Sequence, residues 1–295
     1  MNISSHQPKI IVVGSCAIDL VLYVDKVPGF NETVIASNSE TFFGGKGANE
    51  AVGVSRLGAS SYLMGCVGMD PSGQQIMRHL VEEDVNIGFV SEIEDEETGK
   101  AYVASDMGRH SIIVVPAANY SLTNSHILEA EKYFQTCDLV LLQLEVPLEV
   151  NEFVVSLAKK YDKKVGIYAA PACHLPSEMM DQLDFIICKS NEISKIFGTE
   201  SSDSILKKYP NKLFIRDEDN STTYFNGSVM KNQRNSQLPL QYNMGMGDAF
   251  TSGFSVALCH GNSVEEAVDF GNFSAMKVAQ KRGAQTGLPY LKDLV

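Results

Sequence analysis

The sequence contains no C-x-x-C pair, although six cysteines are spread along its 295 residues at Cys16, Cys66, Cys137, Cys173, Cys188 and Cys259. Without paired spacing a zinc ribbon or dithiol redox centre has no basis, and because five of the six lie in or beside apolar runs, buried reduced thiols are expected. An excess of positive charge is missing too: 24 Lys and Arg against 36 Asp and Glu give a formal net charge of -12. Nucleic acid and anionic membrane surfaces both demand clustered Lys and Arg, so neither is an expected partner, and any anionic ligand has to be held locally. No hydrophobic run is long enough to span a membrane. The opening MNISSHQPK has no apolar stretch of a leader peptide, and the run that follows is interrupted at Asp19. A reduced, cytoplasmic setting is expected. Finally, no G-x-x-x-x-G-K-[ST] occurs and no G-x-G-x-x-G follows the first strand, which excludes P-loop and dinucleotide-binding Rossmann readings.

What is present is an apolar fraction of 44%, enough for a sizeable core. Continuous apolar, β-branched runs at 9–13, 62–66, 139–142, 165–168, 185–188 and 213–215 alternate with helical patterns, which predicts an α/β fold with a mostly parallel sheet buried on both faces. Helices are expected over 48–57, closed by Gly58, over 73–83, and over 123–134, where Thr123 is followed three residues later by His126 instead of a capping-box Glu. Residues 20–43 and 100–115 alternate like antiparallel strands, the second pair turning at Met107-Gly108-Arg109, and predict a small β lid beside the main sheet. With no repeat, low-complexity tract or linker, residues 1–295 read as one domain, with lid strands from about 16–43 and 98–116.

Two glycine clusters stand where ligands bind in such sheets, outside the carboxyl ends of the strands. Met244-Gly245-Met246-Gly247-Asp248 opens an apolar helix running to Leu258. Its first amides are free to face an anion, and Asp248 in the first turn is placed to take a proton from a hydroxyl while those amides hold a transferring phosphoryl group. The bland alternative is an aspartate that complements the helix dipole. The second cluster, Phe43-Gly44-Gly45-Lys46-Gly47-Ala48-Asn49, offers close backbone approach, a cation and an amide to a polyhydroxylated ligand, or else a plain turn with a solvated lysine.

Together, in this order and spacing, the clusters resemble the two signatures of the ribokinase (PfkB) family of carbohydrate kinases. The resemblance runs through nearly the whole chain: Val12 to Asp19, Pro28 to Thr33, Gln143-Leu144-Glu145, Ala170-Pro171-Ala172 and Arg282-Gly283-Ala284-Gln285. It implies a ribokinase-like three-layer α/β/α domain with a mostly parallel central sheet and a small β-sheet lid. The implied activity is ATP-dependent phosphorylation of the primary hydroxyl of D-ribose or a similar pentose. Asp19, Gly45, Lys46, Asn49 and Glu145 would bind the sugar, Asp248 would be the general base, and the amides of Gly245, Met246 and Gly247 the anion hole. Asn272 matches a position that contacts adenine, and Glu192 the Glu of an N-x-x-E motif that places Mg2+. The lid would close over the sugar, and its strand edge could pair with a second subunit.

Four departures from the family pattern stand out, beside a short segment at 198–213. Tyr242-Asn243-Met244 replaces a leading Asp and two Thr that support a monovalent-cation site, which argues against K+ activation. Ile215-Arg216-Asp217-Glu218-Asp219-Asn220 replaces T-L-G-x-x-G, so two glycines are lost and three acids arrive; poorer ATP affinity is expected. Lys189 replaces the Asn of N-x-x-E, to contact a phosphate or to pair with a carboxylate. Ala17 replaces a frequent Asn on the sugar side. These changes leave open a catalytically weakened sugar-binding or regulatory protein, and a kinase for another sugar or a nucleoside.

Overall fold

Strands that are apolar at successive positions need cover on both faces, and they receive it. The computed structural model describes residues 2–106, 109–234 and 240–293. Nine strands form one sheet: β1 Lys9–Val13, β4 Ser60–Gly68, β5 Val85–Ile93, β8 Leu139–Gln143, β9 Lys164–Tyr168, β10 Phe185–Lys189, β11 Leu213–Arg216, β12 Ser221–Phe225 and β13 Met230–Arg234. Their order is β13-β12-β11-β10-β9-β8-β1-β4-β5, parallel from β11 to β5, with β12 and β13 added antiparallel at one edge. Along β1 the side chains alternate: Ile10 and Val12 enter one core, Ile11 and Val13 the other. The first core is roofed by helices Lys46–Arg56, Pro71–Glu82, Met246–Cys259 and Val264–Val278, and the second by helices that include Leu148–Lys160 and Ser202–Lys208. The result is the expected three-layer α/β/α arrangement.

The second sheet is built from β2 Ala17–Tyr23, β3 Asn38–Gly44, β6 Gly99–Asp106 and β7 Arg109–Val115, in the order β3-β2-β6-β7. Its outer pairs are antiparallel, as the alternation predicted, whereas the central β2–β6 pair is parallel. Met107 and Gly108 of the expected turn lie outside the described residues; on either side Asp106 pairs with Arg109. Val21, Ala101 and Val103 pack with Phe42 and Met244, so the small sheet leans on the loop that leads into the Met246–Cys259 helix.

Helix ends shift for identifiable reasons. The second helix starts at Pro71, two residues before the expected Gly73, because the Asp70 carboxylate caps it by accepting from the Gly73 amide at 2.8 Å. The expected 123–134 helix breaks at Ala130 into Asn124–Glu129 and Glu131–Phe134, and His126 takes the capping part normally played by Glu, its Nδ1 accepting from the Thr123 amide at 3.1 Å. The six cysteines are unbridged, but one corrects the expectation of burial: Cys173 is exposed, and Cys259 half-buried. Burial pushes the Cys16 and Cys66 thiols up to about 12, so they remain protonated. No described helix is long and apolar enough to cross a membrane.

Candidate active site

The carboxyl ends of β1, β8 and β9 point at the place where two helices begin. At each start a glycine caps the helix with a backbone that disfavours any side chain: Gly45 with φ 86° before Lys46–Arg56, and Gly245 with φ 73° before Met246–Cys259. The Ala249 amide returns to the Gly245 carbonyl at 2.9 Å. The amides ahead of that bond are those of Gly245, Met246, Gly247 and Asp248, the expected trio among them, with Gly245 serving as the cap.

Asp248 is buried at 3% exposure. Its Oδ2 accepts from Asn49 Nδ2 at 2.7 Å, while its Oδ1 is enclosed and has no hydrogen-bond partner among the described residues. Asn49 is held in turn, its Oδ1 accepting from Gln285 Nε2 at 2.9 Å, and Gln285 Oε1 lies 2.7 Å from His79 Nε2. That ring stacks on Phe43 with centroids 4.0 Å apart. One oxygen of Asp248 is thus fixed by a chain of side chains, and the other is left free. Burial raises the Asp248 pKa, opposed by the Lys46 ammonium and the Asn49 hydrogen bond.

The remaining sugar-side residues converge on the same spot. The Lys46 amide and the Ser15 hydroxyl both donate to Glu145 Oε2, at 3.1 and 2.5 Å, and Lys46 Nζ lies 3.9 Å from Glu145 Oε1 and 5.2 Å above the Tyr168 ring. Burial alone would lower the Lys46 pKa, but Asp248 and Glu145 outweigh it and hold the ammonium charged. Asp19 enters from β2, so close to Gly44 that a Cβ there would strike its carboxylate. Burial, then Glu145 and Asp248, push the Asp19 carboxyl up to about 7 from 3.8. A carboxyl raised in this way favours the folded state below its unfolded pKa, and that contribution is lost as pH rises through the folded one. The melting temperature of the parent relative to Asp19→Asn is therefore expected to fall between about pH 4 and pH 7 by scanning calorimetry; a difference independent of pH would contradict the placement of this charge.

On the other flank, Glu192 follows β10 and accepts from the Lys189 amide at 3.4 Å, with the Lys189 side chain exposed. Among the described residues no cluster of three or more His, Cys, Asp or Glu could hold a metal alone. A single half-buried carboxylate suits magnesium, which is usually held through one or two carboxylates plus phosphates and waters. Asn220 occupies one lost glycine position at φ 65°, a conformation asparagine tolerates, and the chain turns tightly, the Asn220 amide donating to the Asp217 carbonyl at 3.1 Å. Asp217 Oδ2 accepts from Ser221 and Thr223 hydroxyls, and Asp219 pairs with Arg234 at 3.4 Å. Only Glu218 is exposed without such a tie. Asn272 has no exposed surface: its Oδ1 accepts from Thr222 Oγ1 at 2.7 Å and its Nδ2 donates to the Gln233 carbonyl at 3.1 Å. It anchors β12 and β13 and has no atom open to a base.

Four residues here had no assigned part in the sequence: Ser15, Gln285, Arg216 and Glu50. Glu50 is completely buried behind Asn49, its Oε2 accepting from Gln143 Nε2 while Oε1 has no partner, and burial lifts its pKa well above the ordinary range. An acid inside the fully buried stretch 47–54 is the signal that could have marked it.

Residues 7–291 match the profile of the pfkB family carbohydrate kinases. The chain is 34% identical over 282 residues to a ribokinase of Bacillus subtilis, covering 95% of this chain and 96% of the relative, and 30% identical to one of Lactococcus lactis, covering 97% and 95%. Among solved structures, Arabidopsis thaliana ribokinase complexed with ribose and ATP superposes with a TM-score of 0.85 at 26% identity, covering 98% of both chains. A ribokinase from Thermotoga maritima gives 0.85 at 28% identity, covering 97% of this chain and 98% of its own.

Proposed function

The chain belongs to the pfkB family of carbohydrate kinases, and we propose that it transfers the γ-phosphoryl group of ATP to the primary hydroxyl of a small sugar, converting D-ribose to ribose 5-phosphate. The observation that supports this best is the state of Asp248: one carboxylate oxygen fixed by Asn49, the other enclosed and unpartnered beside the amides that open the helix. That is the geometry of a base waiting for a hydroxyl proton next to an anion hole. Asp19, Gly45, Lys46, Asn49 and Glu145 orient the sugar, the carboxylates accepting from its hydroxyls and Lys46 donating. Asp248 Oδ1 takes the proton of the attacking hydroxyl. The amides of Gly245, Met246 and Gly247, with that of Asp248, hold the charge that spreads over the phosphoryl oxygens as it passes in line from the leaving to the attacking oxygen.

Glu192 would hold Mg2+ through the donor's phosphates; when bound, the ion neutralises charge on the β and γ oxygens. Lys189, exposed at the end of β10, is the side chain placed to meet a phosphate. Asn272 enters as the buttress of the nucleotide loop. With Asp217 and Asp219 engaged internally, two of the three charges that favoured a weakened, merely sugar-binding protein are tied down. Tyr242-Asn243-Met244 stands where the family carries the Asp and two Thr that support a monovalent-cation site. No K+ activation is expected.

The lid, one part of a single kinase domain, would close over the sugar and exclude water. Leu22, Tyr102, Ile113 and Val115 lie exposed on one of its faces, an apolar surface suited to a second copy of the chain. A homodimer is expected by light scattering, and Ile113→Glu should yield monomers; a monomeric parent would refute it. Use of ATP and six unbridged cysteines suit a cytoplasmic site of action. The reading is tested by coupled ADP release from MgATP with ribose, deoxyribose, fructose and adenosine, with and without K+. Ribose-dependent release insensitive to K+ is expected; release only with adenosine or fructose would reassign the substrate, and calorimetric sugar binding without release would overturn the kinase.

A further inference from the structure

We propose that Arg216 is a positioning residue that strengthens the anion hole from behind, by polarising the peptide unit that presents the Gly247 amide; this rests on the kinase reading above. Arg216 ends the otherwise apolar strand β11, LFIR, and is buried at 5% exposure. Its Nη1 donates to the Met246 carbonyl at 3.3 Å, its Nη2 donates to Asn220 Oδ1, and its guanidinium lies 4.3 Å from the centre of the Phe250 ring. No carboxylate among the described residues forms an ion pair with it, and neighbouring Asp217 spends its Oδ2 on two hydroxyls.

A buried charge held in no ion pair is costly, even with the Asp217 carboxylate attracting it from nearby, and an apolar side chain would pack against Phe250 without that cost. The carbonyl that Arg216 holds suggests its use. Met246 C=O and Gly247 N–H belong to one resonant peptide unit, so a cation donating to the oxygen draws electron density from the nitrogen and makes the N–H a stronger donor. That N–H is among the four that open the Met246–Cys259 helix, and the guanidinium adds positive potential where the helix dipole is already positive. Asn220, held by its own Nδ2 on the Asn272 carbonyl at 3.0 Å, fixes the second branch of the guanidinium. Burial lowers the Arg216 pKa to about 10, which leaves it charged at neutral pH. A polarised donor gains most when negative charge builds on the oxygen it faces, so the effect falls on the transition state more than on bound ATP.

The test compares the full chain with Arg216→Met and Arg216→Lys, measuring kcat, KM for ribose, melting temperature, and the affinities of ADP and ADP with aluminium fluoride at saturating ribose. Removing a direct oxyanion donor costs about 10²–10³ in kcat, and a group acting through that donor costs less, so Arg216→Met is expected to lower kcat by about tenfold or more. The ribose KM should stay unchanged, the preference for the aluminium fluoride complex over ADP should fall by a similar factor, and Arg216→Lys should recover part of both. An unchanged kcat and preference would overturn the proposal. So would equal losses of ADP and ADP–aluminium fluoride affinity, or a fall in kcat that merely follows the fraction folded. No turnover in the unmodified protein would overturn the kinase reading itself, and this proposal with it, before any variant is compared.

Discussion

Asp248→Asn should lower kcat by about 10²–10⁴, the usual contribution of a general base, while ribose affinity changes by no more than a few-fold. Asparagine fills the same space and can still accept from Asn49 Nδ2, so the hydrogen-bond chain through Gln285 to His79 survives. What disappears is the oxygen that takes the proton. Removing the charge also relieves repulsion on Asp19, one of whose causes of a raised pKa is Asp248. Steady-state kinetics and calorimetry on the same preparation separate the two effects; a variant within tenfold of the parent in kcat would remove Asp248 from the chemistry.

Lys46→Met should be the most damaging substitution on the sugar side. Lys46 faces Glu145 and lies near enough to Asp248 to shape its ionisation, and without it Asp19, Glu145, Glu50 and Asp248 are left crowded with little opposing charge. Stranding one partner of a buried pair costs about 3–5 kcal/mol. The figure should be smaller here because 22% of the Lys46 side chain remains exposed. A second consequence has a definite sign. The ammonium lowers the Asp248 pKa, so removing it raises that pKa, and the base exists only above it; the acidic limb of kcat/KM should therefore move to higher pH. Weakened ribose binding with an unmoved acidic limb would mean that Lys46 binds sugar without tuning the base.

The central strands and both glycine clusters were legible because each has a local cause. Unbroken apolar runs such as Ile10–Val13 fit only a sheet covered on both faces, and glycine at Gly45 and Gly245 is required by positive φ at two helix starts. Strands β5 and β13 were not read, since their mixed burial follows from an edge position and not from periodicity, and neither was β12, whose STTYF run is polar although it lies inside the sheet. Long-range pairing was equally hidden. Nothing near Asn49 in sequence says that Gln285, 236 residues away, holds it, nor that Ser15 meets Glu145. The partners of the acidic loop were hidden in the same way: Ser221, Thr223 and Arg234 lie across the β11–β12–β13 turns that fold the loop back. The partners of Asn272 were hidden too, its amide being engaged by this chain's own hairpin.

The chemistry proposed for this chain is a phosphoryl transfer from ATP to the primary hydroxyl of ribose, with Asp248 taking the proton. The most direct measurement is NMR of a reaction containing MgATP and ¹³C-labelled ribose, following ³¹P and the C5 carbon, for the parent chain and Asp248→Asn side by side. The account predicts a new phosphomonoester coupled to C5 in the parent and almost none in the variant over the same time. Phosphorus on another carbon, equal product from both proteins, or ADP appearing with free phosphate and unchanged ribose would contradict it.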